Sequence, residues 1–225
     1  MTCDTVALMD LRSALSKVNK RGMLLVYPIN NKKEPASLWS EVYPKSEMRW
    51  DLDAGGDDRV SQLWHMRERL STSDRVIYAK WFRGRATLIS FELFASMLKL
   101  LAGGEALLSF QARDILDLLR EDSPLSTKAL KKMTDLQGRE NEKVYVRALK
   151  ELWMRGLIVG YGEVDEGAFP SLAIGATQLL FEDVWNQGQT LNEEDARATV
   201  ERLLPAGTPF RKYFDQVLKA STIAD

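Results

Sequence analysis

Between Ser109 and Val164 the residues prescribe three helices followed by a β-hairpin, and this order narrows the architectures open to the chain more than any other segment. Ser109 stands as an N-cap ahead of Phe110, Ile115, Leu116 and Leu119, all expected to face inward, and Ser123-Pro124 ends the helix because the residue before proline is driven from helical geometry. Ser126 caps a second helix, with Leu125 and Leu130 placed as a hydrophobic staple and Gly138 as its stop. In a third helix Val144, Tyr145, Ala148, Leu149 and Leu152 share one face, while Arg139, Lys143, Arg147 and Lys150 fall within a narrow arc of the opposite one. Gly156 ends it, and Leu157-Ile158-Val159 opens a hairpin that turns at Asp165-Glu166-Gly167 and returns through Phe169 to Ile174. Three helices and a hairpin in that order are the layout of a winged helix, whose third helix often enters the DNA major groove.

The preceding hundred residues read less sharply. Leu8, Leu11, Leu15 and Val18 predict an opening helix that stops near Gly22, and Met23 to Ile29 forms a short apolar run that Pro28 restricts to a sheet edge or extended turn. Asn30 to Gly56 lacks periodicity, with Leu38-Trp39 and Trp50 expected to pin a long loop onto the core. Val60, Leu63, Trp64, Arg67 and Leu70 recur at helical spacing. Val76 to Phe82 and Ala86 to Ile89 flank Arg83-Gly84-Arg85 as a hairpin with a basic tip, and Ser90 caps a helix from Phe91 to Leu101. Helix, hairpin and helix partly echo the later unit, although no sequence-level repeat accompanies the echo. After the wing, Gln178 to Trp185 reads as one short helix, Asn192 caps another over Glu193 to Leu204, and Phe210 to Lys219 is a last amphipathic segment. The expected fold is therefore α+β, mainly helical, with tandem winged-helix-like units and short β-hairpins. Its expected parts are an N-terminal helix and hairpin unit at 1–104, a winged-helix domain at 105–185 and an acidic C-terminal helical segment at 186–225.

Charge is distributed unevenly behind a net value of −1. Leu11 to Lys33 holds Arg12, Lys17, Lys20, Arg21, Lys32 and Lys33 without an acid, and Arg75, Lys80, Arg83 and Arg85 form a second acid-free run. From Glu163 to Glu201 the carboxylates face Arg197 alone, which leaves an acidic surface able to meet a basic protein partner. Lys143, Arg147 and Lys150 are the leading candidates for contact with double-stranded DNA, followed by Arg139, Arg83 and Arg85, because guanidinium and ammonium groups neutralise phosphates and reach guanine edges. Glu163, Asp165 and Glu166 at the wing would repel that backbone. A charged helix face is also what any solvated helix presents, and Glu140, Glu142 and Glu151 flank the stripe.

Candidates for a reaction are few. Cys3 is the sole cysteine and His65 the sole histidine, so no sulfur or imidazole ligand set for zinc exists and no cofactor is expected. No glycine-rich phosphate loop or nucleophile elbow is present. His65 beside Trp64 reads as a structural or surface residue, and Asp57-Asp58 and Glu193-Glu194 as helix starts. With no apolar run long enough for a bilayer and no basic leader before Asp4, a cytoplasmic protein is expected.

Gly22-Met23-Leu24-Leu25-Val26-Tyr27, Leu38-Trp39-Ser40 and Tyr78-Ala79-Lys80-Trp81-Phe82-Arg83-Gly84-Arg85-Ala86-Thr87-Leu88-Ile89 leading into Phe91-Glu92-Leu93 resemble the winged-helix DNA glycosylases of the YcaQ/AlkZ type. Leu63-Trp64-His65-Met66-Arg67, Gly138-Arg139-Glu140-Asn141 and Leu157-Ile158-Val159 are similar to the shorter AlkZ-related proteins, and Glu193-Glu194-Asp195-Ala196-Arg197 to the acidic helix start of the larger enzymes, so the resemblance spans roughly residues 8 to 204. It implies tandem winged helices that cradle duplex DNA and, in the enzymes, removal of N7-alkylated or crosslinked guanine. Those enzymes carry glutamine, an apolar residue, then glutamine or aspartate where this chain has Leu25, Val26 and Tyr27. Leucine cannot orient a water, and a tyrosine of ordinary pKa is a poor base near neutrality. The expectation is a repair-associated DNA-binding protein without the usual catalytic pair. The alternatives are a glycosylase in which Tyr27, Asn30 or His65 takes over, or a winged-helix module that binds protein.

Overall fold

The structure is a computed structural model and describes residues 10–49, 58–101, 105, 107–164 and 170–222. Trp50, Gly55-Gly56, Asp57, Cys3 and the turn Asp165-Glu166-Gly167 lie outside the described residues. Among those described, the chain is α+β, with eleven helices around one antiparallel sheet of six strands in the order β1-β3-β2-β5-β6-β4.

The first half runs α1 (Leu11–Arg21), β1 (Met23–Leu25), α2 (Leu38–Val42), α3 (Asp58–Ser71), β2 (Ile77–Phe82) and β3 (Arg85–Ile89). Asp10 caps α1 by accepting from the Ser13 N–H at 2.6 Å, and Gly22 ends it at a φ of +73°, a backbone that a side chain would strain. β1 is a sheet edge that ends short of Pro28, and its pairing continues one residue further through the Val26 N–H, which donates to the Ala86 carbonyl at 2.9 Å. Ser37 and Ser40 cap α2 reciprocally and seat Leu38 and Trp39 in the core. Arg83 and Gly84, at φ of +52° and +73°, make the two-residue turn joining β2 to β3; positive φ at both positions matches the twist of a tight hairpin.

After α4 (Phe91–Leu101) the second half repeats that order as α5 (Phe110–Glu121), β4 (Leu125–Ser126), α6 (Thr127–Met133), α7 (Glu142–Met154), β5 (Ile158–Val164) and β6 (Ser171–Ala176). β1 pairs with β3 in the first half as β4 pairs with β6 in the second, and the halves join where β2 meets β5 at Tyr78 and Gly160. An ideal Cβ built on Gly160 would stand 2.4 Å from Tyr78 Cδ1, so the seam requires glycine there. α3 packs on β2 and β5, and α7 does the same from the other half. The remaining helices, α8 (Thr177–Leu180), α9 (Glu182–Thr190), α10 (Glu193–Leu203) and α11 (Pro209–Thr222), follow β6, and α9, α10 and α11 pack on α4. Tyr213 stands edge-on to both Trp81 and Phe82, with centroids 5.0 and 5.1 Å apart.

Several expectations change. Phe110 is exposed, not inward, because it is the first residue of α5 and precedes the buried face formed by Ala112, Ile115, Leu116 and Leu119. Val144 is exposed as well, and Trp153 takes a core position instead. α6 ends at Met133, several residues before Gly138, whose φ of +90° turns the chain towards α7. Arg139 belongs to that turn and not to the helix. The segment expected as one short helix from Gln178 is two helices, broken at Phe181.

Candidate functional site

A cleft of about 600 Å³ opens where the halves meet. Tyr27, Trp64, Arg67, Tyr78 and Lys80 line it from the first half, and Thr127, Lys128, Glu163 and Leu172 from the second. Its centre is Arg67, whose side chain is only 3% exposed. The guanidinium donates from Nη2 to Glu163 Oε1 at 2.5 Å, and its carbon lies 4.1 Å from the Trp64 ring centroid and 5.4 Å from that of Tyr78. Nε is buried, with no hydrogen-bond partner among the described residues. Burial opposes the Arg67 charge, but Tyr78 and Glu163 outweigh it and hold the group above its ordinary pKa.

That fixed charge organises its neighbours. Burial raises Tyr27 to about 12 despite the opposing effect of Arg67, and its phenol donates to the Val60 carbonyl at 3.1 Å. Tyr27 therefore keeps its proton through neutral pH, so the cleft holds a phenol there and no phenolate base. Burial likewise raises Tyr78. Lys80 is an exposed side chain, yet desolvation of its ammonium and then Arg67 lower its pKa. Trp64 keeps 42% of its surface exposed beside these cations, so the cleft offers an aromatic face and positive charge together.

The other sequence candidates lie elsewhere. Lys143, Arg147 and Lys150 are exposed along α7, opposite buried Tyr145, Ala148 and Leu152. Arg147 stands 3.8 Å from Glu151 but is 84% exposed, so this pair scarcely neutralises it, and Lys143 and Lys150 have no ion pair among the described residues. Arg83 and Arg85 are exposed at the hairpin, the Arg83 backbone hydrogen-bonded to Tyr213. Asn30 is an exposed turn residue at a φ of +51° and does not line the cleft. His65 lies on the outer face of α3, with Nδ1 4.0 Å from Glu68. Glu163, expected to repel phosphate from the wing, is turned inward and neutralised by Arg67. The sequence signal for the cleft was Arg67 itself, a cation in register with the apolar positions of α3.

Fold and cleft thus define a mainly helical α+β protein of two like-ordered halves, with a cationic, aromatic-lined cleft at their junction. A family model described as AlkZ related matches residues 8–209, and the chain belongs to that family, which points to a DNA-glycosylase-like fold. No curated protein and no solved structure matches the chain significantly. Among the described residues no helix is long and apolar enough to cross a membrane.

Proposed function

We propose that this protein binds double-stranded DNA through tandem winged-helix units, in a repair-related role, without the glutamine pair of the larger enzymes. The observation that carries this reading is α7. It is the third helix of an order, α5-β4-α6-α7-β5-β6, that fits a winged helix, and it presents Lys143, Arg147 and Lys150 to solvent with almost no internal neutralisation. α7 packs on the Trp81 face of β2, opposite the face that carries Lys80, so Lys143, Arg147 and Lys150 form a contact surface of their own. Fluorescence anisotropy with a labelled duplex tests it. Lys143→Ala with Arg147→Ala is expected to weaken binding and to flatten the slope of log affinity against log salt by about 1.8, since each lost phosphate contact removes roughly 0.9. Unchanged affinity and slope remove α7 from the interface.

One observation favours a second reading, an altered glycosylase. Glu163 places a carboxylate in the cleft, and among the described residues Arg67 engages its Oε1, which leaves Oε2 as the atom that would orient a water. Incubation with duplex containing N7-alkylguanine followed by alkaline cleavage decides it, and an intact strand at stoichiometric protein rejects it.

A further inference from the structure

We infer that a second depression, on the outer side of the first half, is a binding site for a phosphate-bearing anion held by Arg12, Arg69 and Arg75. The three arginines line one open groove of about 540 Å³, with Leu11 and Leu15 as apolar surface beside them. They come from separate elements: Arg12 from the first turn of α1, Arg69 from the end of α3 and Arg75 from the connection into β2. Folding thereby merges the two acid-free runs of the sequence, the first ending in Lys33 and the second starting at Arg75, at a single place.

Gathering like charges is unfavourable unless something of opposite sign joins them, and among the described residues the neighbouring carboxylates do not. None of the three arginines has a hydrogen bond or ion pair among the described residues. Asp10 accepts from the Ser13 N–H at 2.6 Å, Asp74 lies beside Tyr161 and helps to raise its pKa, and Glu68 lies 4.0 Å from His65. The hydroxyls at the rim are committed too, Ser73 donating to the Leu70 carbonyl at 2.8 Å and Thr72 to the Glu68 carbonyl at 3.3 Å. The donors left facing the groove are guanidinium forks, whose geometry matches phosphate oxygens.

This site is distinct from the cleft. At 100° per residue Arg69 falls about 140° around α3 from Trp64 and about 160° from Arg67, so the groove faces away from the cleft. A ligand that fills one leaves the other open. The anion is either the backbone of a nucleic acid that extends beyond the α7 contact or a free polyphosphate, and the chemistry of recognition is the same.

The test compares wild type with Arg69→Gln/Arg75→Gln, both exposed positions, after circular dichroism has shown equal melting. Titration calorimetry with inorganic pyrophosphate is expected to show binding that the variant weakens roughly tenfold, as loss of charge-assisted hydrogen bonds predicts. In the salt titration with duplex, the variant is expected to lose about 1.8 from the slope if backbone phosphates occupy the groove. Lost pyrophosphate binding with an unchanged slope supports the site with a free polyphosphate as its ligand. An unchanged slope together with pyrophosphate binding that is absent, or equal in both proteins, overturns it. The α7 variant is the control: if it alone fails, duplex binding stands without this groove, and if wild type ignores duplex altogether, the pyrophosphate titration still decides the groove.

Discussion

Arg67 of α3 and Glu163 of β5, 96 positions apart, form an ion pair at 2.5 Å with side-chain exposures of 3% and 10%, a desolvated contact that helps to tie the two halves together. Removing one member leaves a buried charge with nothing to balance it. Glu163→Gln is expected to cost about 3–5 kcal/mol in urea unfolding, whereas Arg67→Met with Glu163→Met regains most of that loss. Equal destabilisation by the single and double variants would refute the reading of this pair as mutually compensating.

Gly160 makes a different demand on the same seam. Its Cα is covered by the Tyr78 ring, and a methyl group would fall 2.4 Å from Cδ1, so Gly160→Ala forces the ring aside. The expected loss is about 1–3 kcal/mol, the usual cost of overpacking. Tyr78→Ala combined with Gly160→Ala should cost less than the sum of the single changes, measured by denaturant midpoints at constant slope.

Phe110 and Ile115 separate apolar character from burial. Phe110 is 73% exposed and Ile115 fully buried on the same helix. Phe110→Ser should change stability by no more than about 0.5 kcal/mol, and Ile115→Ala should remove about 2–5 kcal/mol. A large loss at Phe110 in thermal or urea unfolding would place it in a contact that this structure does not contain.

Tyr27 predicts an alkaline signature. Unfolded tyrosine ionises near 10 and the folded side chain near 12, so the unfolded state sheds its proton first as pH rises. Stability from this residue is complete below pH 10 and declines between 10 and 12. Tyr27→Phe should reduce that alkaline decline, followed by unfolding midpoints across the window. An identical pH dependence in both proteins would contradict the burial assigned to this phenol.

Local chemistry made much of this fold readable. Ser109, Ser126 and Asn192 each cap the helix expected of them, accepting from the N–H of Ala112, Ala129 and Asp195, because a cap is decided within four residues. The hairpin tip at Arg83-Gly84 is equally local. What escaped is long-range. No local pattern indicates that β2 pairs with β5, and so none indicates that Trp64, Lys80 and Lys128 would line a common cleft. Periodicity also misjudged Phe110 and Val144, since it reports which face a residue occupies and not whether another element covers that face. Arg67 carried the clearest overlooked signal, a charge at an apolar position whose partner could be found only in three dimensions.

The single ladder between Tyr78 and Gly160 has a bearing on how the molecule matures. A nascent chain that has emerged only through its first hundred residues possesses Arg67 without its counter-ion and just one wall of the cleft. The cleft and the ion pair at its centre therefore come into being together, only once the second half has supplied Glu163.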